Sequence, residues 1–146
     1  MPTKNITAIK VLTVKAKGEP RFVAGKAFNQ LEKITGLKGR KMYGVYFKDK
    51  NEYWACTAIE VDDDLAKMGL EQEIIPGGLY AYSILKGKYN EIVQQVGETM
   101  DQLVKENDNR IDWSRPPVEY YFRFNEFILM VPIKSLNVDN SNVPIQ

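Results

Sequence analysis

The chain has 146 residues, 44% of them hydrophobic and 27% charged, the composition of one soluble domain long enough to bury a core without disulfides or metals. It contains no histidine and a single cysteine, Cys56, which excludes Ser-His-Asp and Cys-His catalysis, zinc fingers, HExxH sites and any internal disulfide. No apolar run approaches the roughly twenty residues of a membrane helix and no cleavable leader is visible, so the expected setting is the cytoplasm, with no cofactor and no metal. Net charge is +1, yet residues 1–50 hold 12 Lys+Arg against 3 Asp+Glu while residues 51–146 hold 8 against 16. The basic half contains no helix-turn-helix, Arg-rich arm or RNP-type motif, so its lysines are read as solvated charge and direct nucleic-acid binding is not expected.

In chain order, Ile6 to Val14 is rich in Ile, Val, Leu and Thr and reads as a strand, broken by Gly18-Glu19-Pro20. Val23, Ala27, Phe28, Leu31 and Ile34 then recur at helical spacing between Pro20 and Gly36, predicting an amphipathic helix over residues 20–35. Met42 to Phe47 and Tyr53 to Val61, separated by Lys48-Asp49-Lys50-Asn51, predict a hairpin. Asp62-Asp63-Asp64 before Leu65, Met68 and Gly69 reads as a capped short helix; the alternating oxygen spacing of a calcium loop is missing. Glu73 to Leu85 is strand-like. Tyr89, Ile92, Val93, Val96, Met100, Leu103 and Val104 mark a second amphipathic helix, and Val118 to Phe124 and Phe127 to Ile133 two closing strands.

The order strand, helix, strand, strand therefore occurs twice, at a period of roughly 69 residues that lays Val11 to Leu31 on Tyr80 to Met100. We expect an α+β fold of duplicated β-α-β-β units with pseudo-twofold symmetry, repeat one about 5–61 and repeat two about 73–134. Antiparallel sheets would carry the two main helices on one side and a ligand groove on the other. The polar tail from Ser135 to Gln146 is expected to be disordered.

The stretch Ile75-Pro76-Gly77-Gly78-Leu79-Tyr80-Ala81, followed by Lys86-Gly87-Lys88-Tyr89 opening a helix, resembles the centre of GyrI-like small-molecule-binding domains. Pro117-Val118-Glu119-Tyr120-Tyr121 and the closing Leu129-Met130-Val131-Pro132-Ile133-Lys134 are similar to the same family, as are Tyr43-Gly44-Val45-Tyr46 and Tyr53-Trp54-Ala55-Cys56. The resemblance covers most of residues 5 to 134. It implies a bacterial domain that binds amphipathic, often cationic aromatic molecules, as in the effector-sensing half of multidrug-responsive transcription activators, here in free-standing form.

The resemblance also implies a glutamate deep in an aromatic pocket, and Glu119 is the carboxylate at that strand position. Among ring faces, one desolvated acid attracts a cation by charge and by cation–π contact. Along its strand Glu119 alternates with Val118 and Tyr120 and shares a face with Tyr121 and Arg123. The apolar set Val118, Tyr120, Phe122 and Phe124 is expected under the helices, which leaves Glu119 and Tyr121 toward the groove, with Arg123 as a competing partner. Tyr80, Tyr82, Trp54 and Tyr43 are further candidate walls, although aromatic residues in strands commonly serve as core. Trp113, in the polar loop before Pro116, is a candidate for the pocket rim. Cys56 reads as a buried small hydrophobe. Relatives often carry a second acid or a tyrosine in the last strand; Ile128 and Met130 stand there, and Met130 becomes a lining candidate.

Three functions follow as expectations. The first is binding of an amphipathic, aromatic and cationic small molecule for sensing or sequestration. The second is metal-independent hydrolysis of a reactive electrophile, with Glu119 as general base to a water and Tyr121 or Tyr82 orienting it or donating a proton. The third is regulation through a protein partner or a homodimer, using the acidic second half.

Overall fold

In a computed structural model, residues 2–135 are described. They form eight strands and three helices: β1 Thr3–Ile6, β2 Ile9–Lys17, α1 Pro20–Thr35, β3 Met42–Phe47, β4 Glu52–Ala58, α2 Leu65–Met68, β5 Glu71–Ile75, β6 Gly78–Lys86, α3 Tyr89–Glu106, β7 Val118–Arg123 and β8 Glu126–Pro132. The expected tail lies outside the described residues from position 136 onward. All eight strands join one antiparallel sheet in the order β1-β6-β8-β7-β3-β4-β2-β5. Exchanging the first four strands for the last four, β1 for β5 through β4 for β8, gives the same order read from the other end, so an approximate twofold axis runs between the central strands β3 and β7.

Local details repeat along with the topology. β2 starts at Ile9 and β6 at Gly78, 69 positions later; Gly18 and Gly87, at the same offset, both end their strands with positive φ, 131° and 147°. A side chain at either would meet the equivalent residue of the following helix, Val23 or Ile92. Glycine is the residue that enters this region of backbone space without strain, so both helices begin from the same turn.

Only two residues separate β1 from β2, and two separate β5 from β6, although each of these pairs lies far apart in the strand order. The sheet must therefore curl until its ends meet. The two linkers touch: a Cβ on Gly77 would lie 2.7 Å from the backbone nitrogen of Ala8 and 2.8 Å from the carbonyl oxygen of Ile6. This contact is the structural reason for Pro76-Gly77, which divides the single strand expected over Glu73 to Leu85 into β5 and β6. The first strand is likewise divided, into β1 and a β2 running on to Lys17, and β4 ends at Ala58 rather than Val61.

Curling gives the sheet two buried faces. The inner one gathers buried residues from seven strands, β2 to β8, among them Val11, Tyr43, Val45, Trp54, Cys56, Ile75, Tyr80, Val118 and Met130, into one cluster. The outer face carries both long helices over two separate clusters, α1 on Ala55, Tyr53 and Met42, and α3 on Ala81, Leu129 and Val131. The groove expected on the face away from the helices is thus replaced by packed core. Both helices do share one face, as expected, and of the Asp62-Asp63-Asp64 triplet it is Asp63 that pairs with Arg40, which also reaches Glu60 at 3.9 Å.

The basic first half finds part of its counter-charge in the second. Lys15 bridges Glu71 at 3.0 Å and Glu73 at 2.5 Å, and Arg40 holds Asp63 through two bonds of 2.9 and 2.6 Å. That bidentate pair pins the connection leading to α2, whose first turn is capped by Asp64 accepting from the Lys67 amide. Arg40→Ala is expected to lower unfolding stability by about 2 kcal/mol, the scale of lost hydrogen bonds to a charged group, measured by urea denaturation against the parent chain.

Candidate functional site

α1 packs on β2 and β4 and α3 on β6 and β8. The central pair β3 and β7 therefore floors a cleft between the helices, at the twofold axis. Two side chains from β7 rise into it. Strand alternation puts Glu119 and Tyr121 on the helix face and Val118 and Tyr120 on the inner face, the reverse of the expected assignment. The physical reason is that both faces of a curled sheet are buried. The more apolar set takes the closed interior, and the carboxylate takes the outer face where no helix lies directly above it.

Glu119 is 9% exposed. Tyr53, wholly buried on β4, donates to its Oε1 at 3.0 Å, and Tyr121 donates a short bond to the same oxygen. The two phenol oxygens lie 3.4 Å apart. Oε2 takes no hydrogen bond among the described residues. Since no fully buried side-chain oxygen in this part of the chain lacks a partner, Oε2 is the atom of Glu119 that solvent reaches. Directly across the β3–β7 ladder from Glu119 is Gly44, where a Cβ would sit 2.0 Å from the Tyr53 hydroxyl and 2.6 Å from Glu119 Oε1. Gly44 is what makes room for the cluster.

The electrostatics match this geometry. Burial raises the Glu119 pKa above the ordinary 4.5, opposed by the hydrogen bonds from Tyr121 and Tyr53, and no lysine or arginine is among the groups acting on it. Arg123, the competing partner expected from sequence, lies instead over the Phe122 ring. Burial and the neighbouring carboxylate hold both tyrosines protonated far above their usual range, so they remain donors. The result is a carboxylate with two neutral donors on one oxygen and no counter-charge.

Aromatic rings surround it. Phe28 of α1 stands edge-on to Tyr121 at 5.4 Å and to Tyr53 at 6.2 Å. On the other side Phe127 meets Tyr121 at 4.8 Å, Tyr89 of α3 meets Phe127 at 6.0 Å, and Phe124 meets Tyr89 at 5.0 Å. The row runs from the buried carboxylate to the surface, where Tyr89 is 51% and Phe124 71% exposed.

Of the residues singled out from sequence, the structure brings Glu119 and Tyr121 together and places the others elsewhere. Tyr43, Trp54, Tyr80 and Met130 are buried in the inner-face core, with Tyr82 packed against it. Tyr43 stacks on Tyr120 at 4.6 Å, Tyr80 donates to the Pro76 carbonyl at 2.6 Å, and Trp54 donates to Glu52 at 3.0 Å beneath the Lys15 ammonium. In the free protein these four side chains are occupied with internal contacts, and Tyr82 is half-buried at their edge. Cys56 is fully buried, which pushes its thiol pKa up and makes it inert, as its sequence context suggested. Trp113 is 64% exposed and stands next to Asp112, which binds Arg115. That region borders a different hollow, of about 530 Å³, lined by Asn5, Gly78, Arg110, Asp112, Arg115 and Lys134 among others. Tyr53, Gly44, Phe28, Phe127 and Tyr89 are the cleft residues that sequence reasoning did not assign to the site. The available signals were Gly44, a glycine amid aromatic and β-branched strand residues, and Phe28 at the edge of the α1 apolar stripe.

A pseudo-twofold curled sheet with paired helices and an aromatic cleft around one carboxylate defines a small-molecule-binding type of α+β domain. The model of the GyrI-like small molecule binding domain matches residues 2–131, and the chain belongs to that family. No curated protein gave a significant match. Among solved structures, SAV2435 bound to tetraphenylphosphonium has a similar fold at TM-score 0.67 and 14% identity, over 94% of this chain and 95% of that one. A hydrolase from Listeria innocua gives 0.59 at 16% identity, over 91% and 90%. The C-terminal domain of EcmrR gives 0.60 at 17% identity, over 92% and 97%. At these identities the likeness is one of fold.

Proposed function

We propose that this domain binds an aromatic organic cation in the cleft between α1 and α3, with Glu119 supplying the counter-charge, and that it serves to sense or sequester that molecule in the cytoplasm. The observation that carries this reading is the carboxylate itself: buried, unpaired with any cation, held at Oε1 by Tyr53 and Tyr121 and open at Oε2. A buried charge without a partner is unfavourable, and a cationic ligand supplies the partner. The rings of Phe28, Tyr121 and Tyr89 supply apolar contact and cation–π attraction. The fold neighbour bound to tetraphenylphosphonium suggests that compound as the probe.

Calorimetric titration with tetraphenylphosphonium tests the reading, and its pH dependence tests the role of Glu119. Because burial raises the Glu119 pKa, the free protein holds this proton above pH 4.5. Affinity is therefore expected to rise as pH increases through the raised value and then level off, with proton release on binding inside that window. The stability effect has the opposite sign. The folded state binds this proton more tightly than the unfolded one, so Glu119 contributes stability that is fully present below the unfolded pKa and is lost as pH rises through the folded one. Bound cation restores it, so ligand-induced stabilisation should grow over the same interval. Affinity that does not change between pH 4.5 and 8 would contradict the role given to Glu119.

A further inference from the structure

The pseudo-twofold fails after the long helices. Six residues, 36–41, join α1 to β3, whereas eleven, 107–117, join α3 to β7. In the short linker Arg40 ties the chain down through Asp63 and the Ala58 carbonyl. In the long one Arg115 does comparable work: its Nε donates to Asp112 at 3.1 Å, and its two amino groups donate to the carbonyls of Gly77, Leu79 and Ile133 at 3.0 to 3.3 Å. The longer linker carries a second arginine, Arg110, that has no such duty.

An antiparallel bridge joins Ile111 to Ile133 just beyond β8, and next to it the Lys134 amide donates to the Arg110 carbonyl at 2.7 Å. Both isoleucines are buried. Alternation turns the neighbouring side chains, Arg110 and Lys134, the other way, toward the hollow of about 530 Å³ that they help to line. The two cations stand directly opposite each other across the bridge, and like charges so placed repel. Among the described residues, neither the Arg110 guanidinium nor the Lys134 ammonium has a hydrogen bond or an ion pair. The carboxylate in the hollow is already taken: Asp112 accepts from the Ser114 amide and hydroxyl at Oδ1 and from Arg115 at Oδ2. The side-chain amides of Asn5 and Asn109 add neutral donors to the lining.

We propose that this hollow binds a small dianion of the phosphate type, either the free ion or the phosphate group of a small molecule, clamped between Arg110 and Lys134. A doubly charged oxyanion neutralises both cations at once, offering a pair of oxygens to the guanidinium fork and others to the ammonium and the asparagine amides. The site shares no residue with the cleft around Glu119 and has the opposite charge, so it stands independently of the cleft reading and repels an organic cation.

Titration of ¹⁵N-labelled protein with inorganic phosphate tests the site, read by NMR at the backbone amides of Gly78, Asn109 and Arg110. Saturable shifts concentrated on these amides are expected. The double variant Arg110→Gln with Lys134→Gln should bind about tenfold or more weakly, having lost its charged donors, and should melt at or above the wild-type temperature because the substitutions relieve a repulsion and break no bond. Phenyl phosphate binding more tightly than phosphate would identify an occupant that carries an organic group, and equal affinity would identify the free ion; both results support the site. Acetate, with one charge, should bind more weakly than phosphate, and an equal response to it would overturn the dianion class. Shifts that do not saturate, shifts spread equally over the lysines of α1, or an unchanged response in the double variant would overturn the proposal. Loss of cooperative melting in the double variant would show that the two side chains hold the linker in place, which also overturns it.

Discussion

Glu119→Gln is expected to weaken tetraphenylphosphonium binding about tenfold or more, roughly 1.4 kcal/mol, without lowering the stability of the free protein. The two effects separate because they arise from different interactions. In the free protein the ionised carboxylate gains two tyrosine hydrogen bonds but is opposed by burial; glutamine keeps an acceptor for Tyr53 and Tyr121 and removes the charge that burial penalises. In the complex, a cation about 4 Å from a carboxylate gains about 4 kcal/mol at an effective dielectric near 20, before desolvation is subtracted. A tenfold effect corresponds to about a third of that gain surviving desolvation. Triphenylphosphine oxide offers rings without a formal charge and should bind parent and variant alike. Equal weakening for both compounds would mean that the substitution reshapes the cleft instead of removing a charge.

Gly44→Ala carries the second large effect. A single methyl group would lie 2.0 Å from the Tyr53 hydroxyl and 2.6 Å from Glu119 Oε1, separations that real atoms do not hold, so the ring or the carboxylate must move. Tyr53 is wholly buried, and its ring has little room to do so. Overpacking of this kind costs about 1–3 kcal/mol, and the displaced carboxylate no longer receives both donors, so binding should fall as well. Adding Tyr53→Phe to Gly44→Ala removes the atom in closest conflict and should recover part of the lost stability, giving a favourable coupling in a double-mutant cycle read by urea denaturation. A Gly44→Ala protein as stable as the parent would show that the cluster is loosely packed, contrary to the geometry described.

The parts legible in the sequence were those with local causes. Pro20 and Gly36 bracket α1, Asp64 and Gly69 bracket α2, and the turn at Lys48 to Asn51 closes a hairpin; each signal acts within a few residues of its effect. β1 was not legible because Thr3–Ile6 is short and polar, and its identity as a strand comes from pairing with β6, 72 or more residues away, the separation of Ile6 from Gly78. The face of β7 was misjudged for a related reason. Alternation separates Glu119 and Tyr121 from Val118 and Tyr120, but which set faces the helices depends on the curl of the whole sheet. That curl follows from linkers of two residues joining strands at opposite ends of the strand order. It turned the expected groove wall of Tyr43, Trp54 and Tyr80 into core. The carboxylate itself was found from a family resemblance, whereas its partners Tyr53 and Phe127 sit where only the register places them.

The most direct test is a crystal structure of the protein with tetraphenylphosphonium. The account places the phosphorus between α1 and α3, within about 6 Å of an aromatic ring of the cleft and nearest to Glu119. Density for the ligand on the inner face, among Tyr43, Trp54 and Tyr80, or in the hollow beside Arg115, would contradict it.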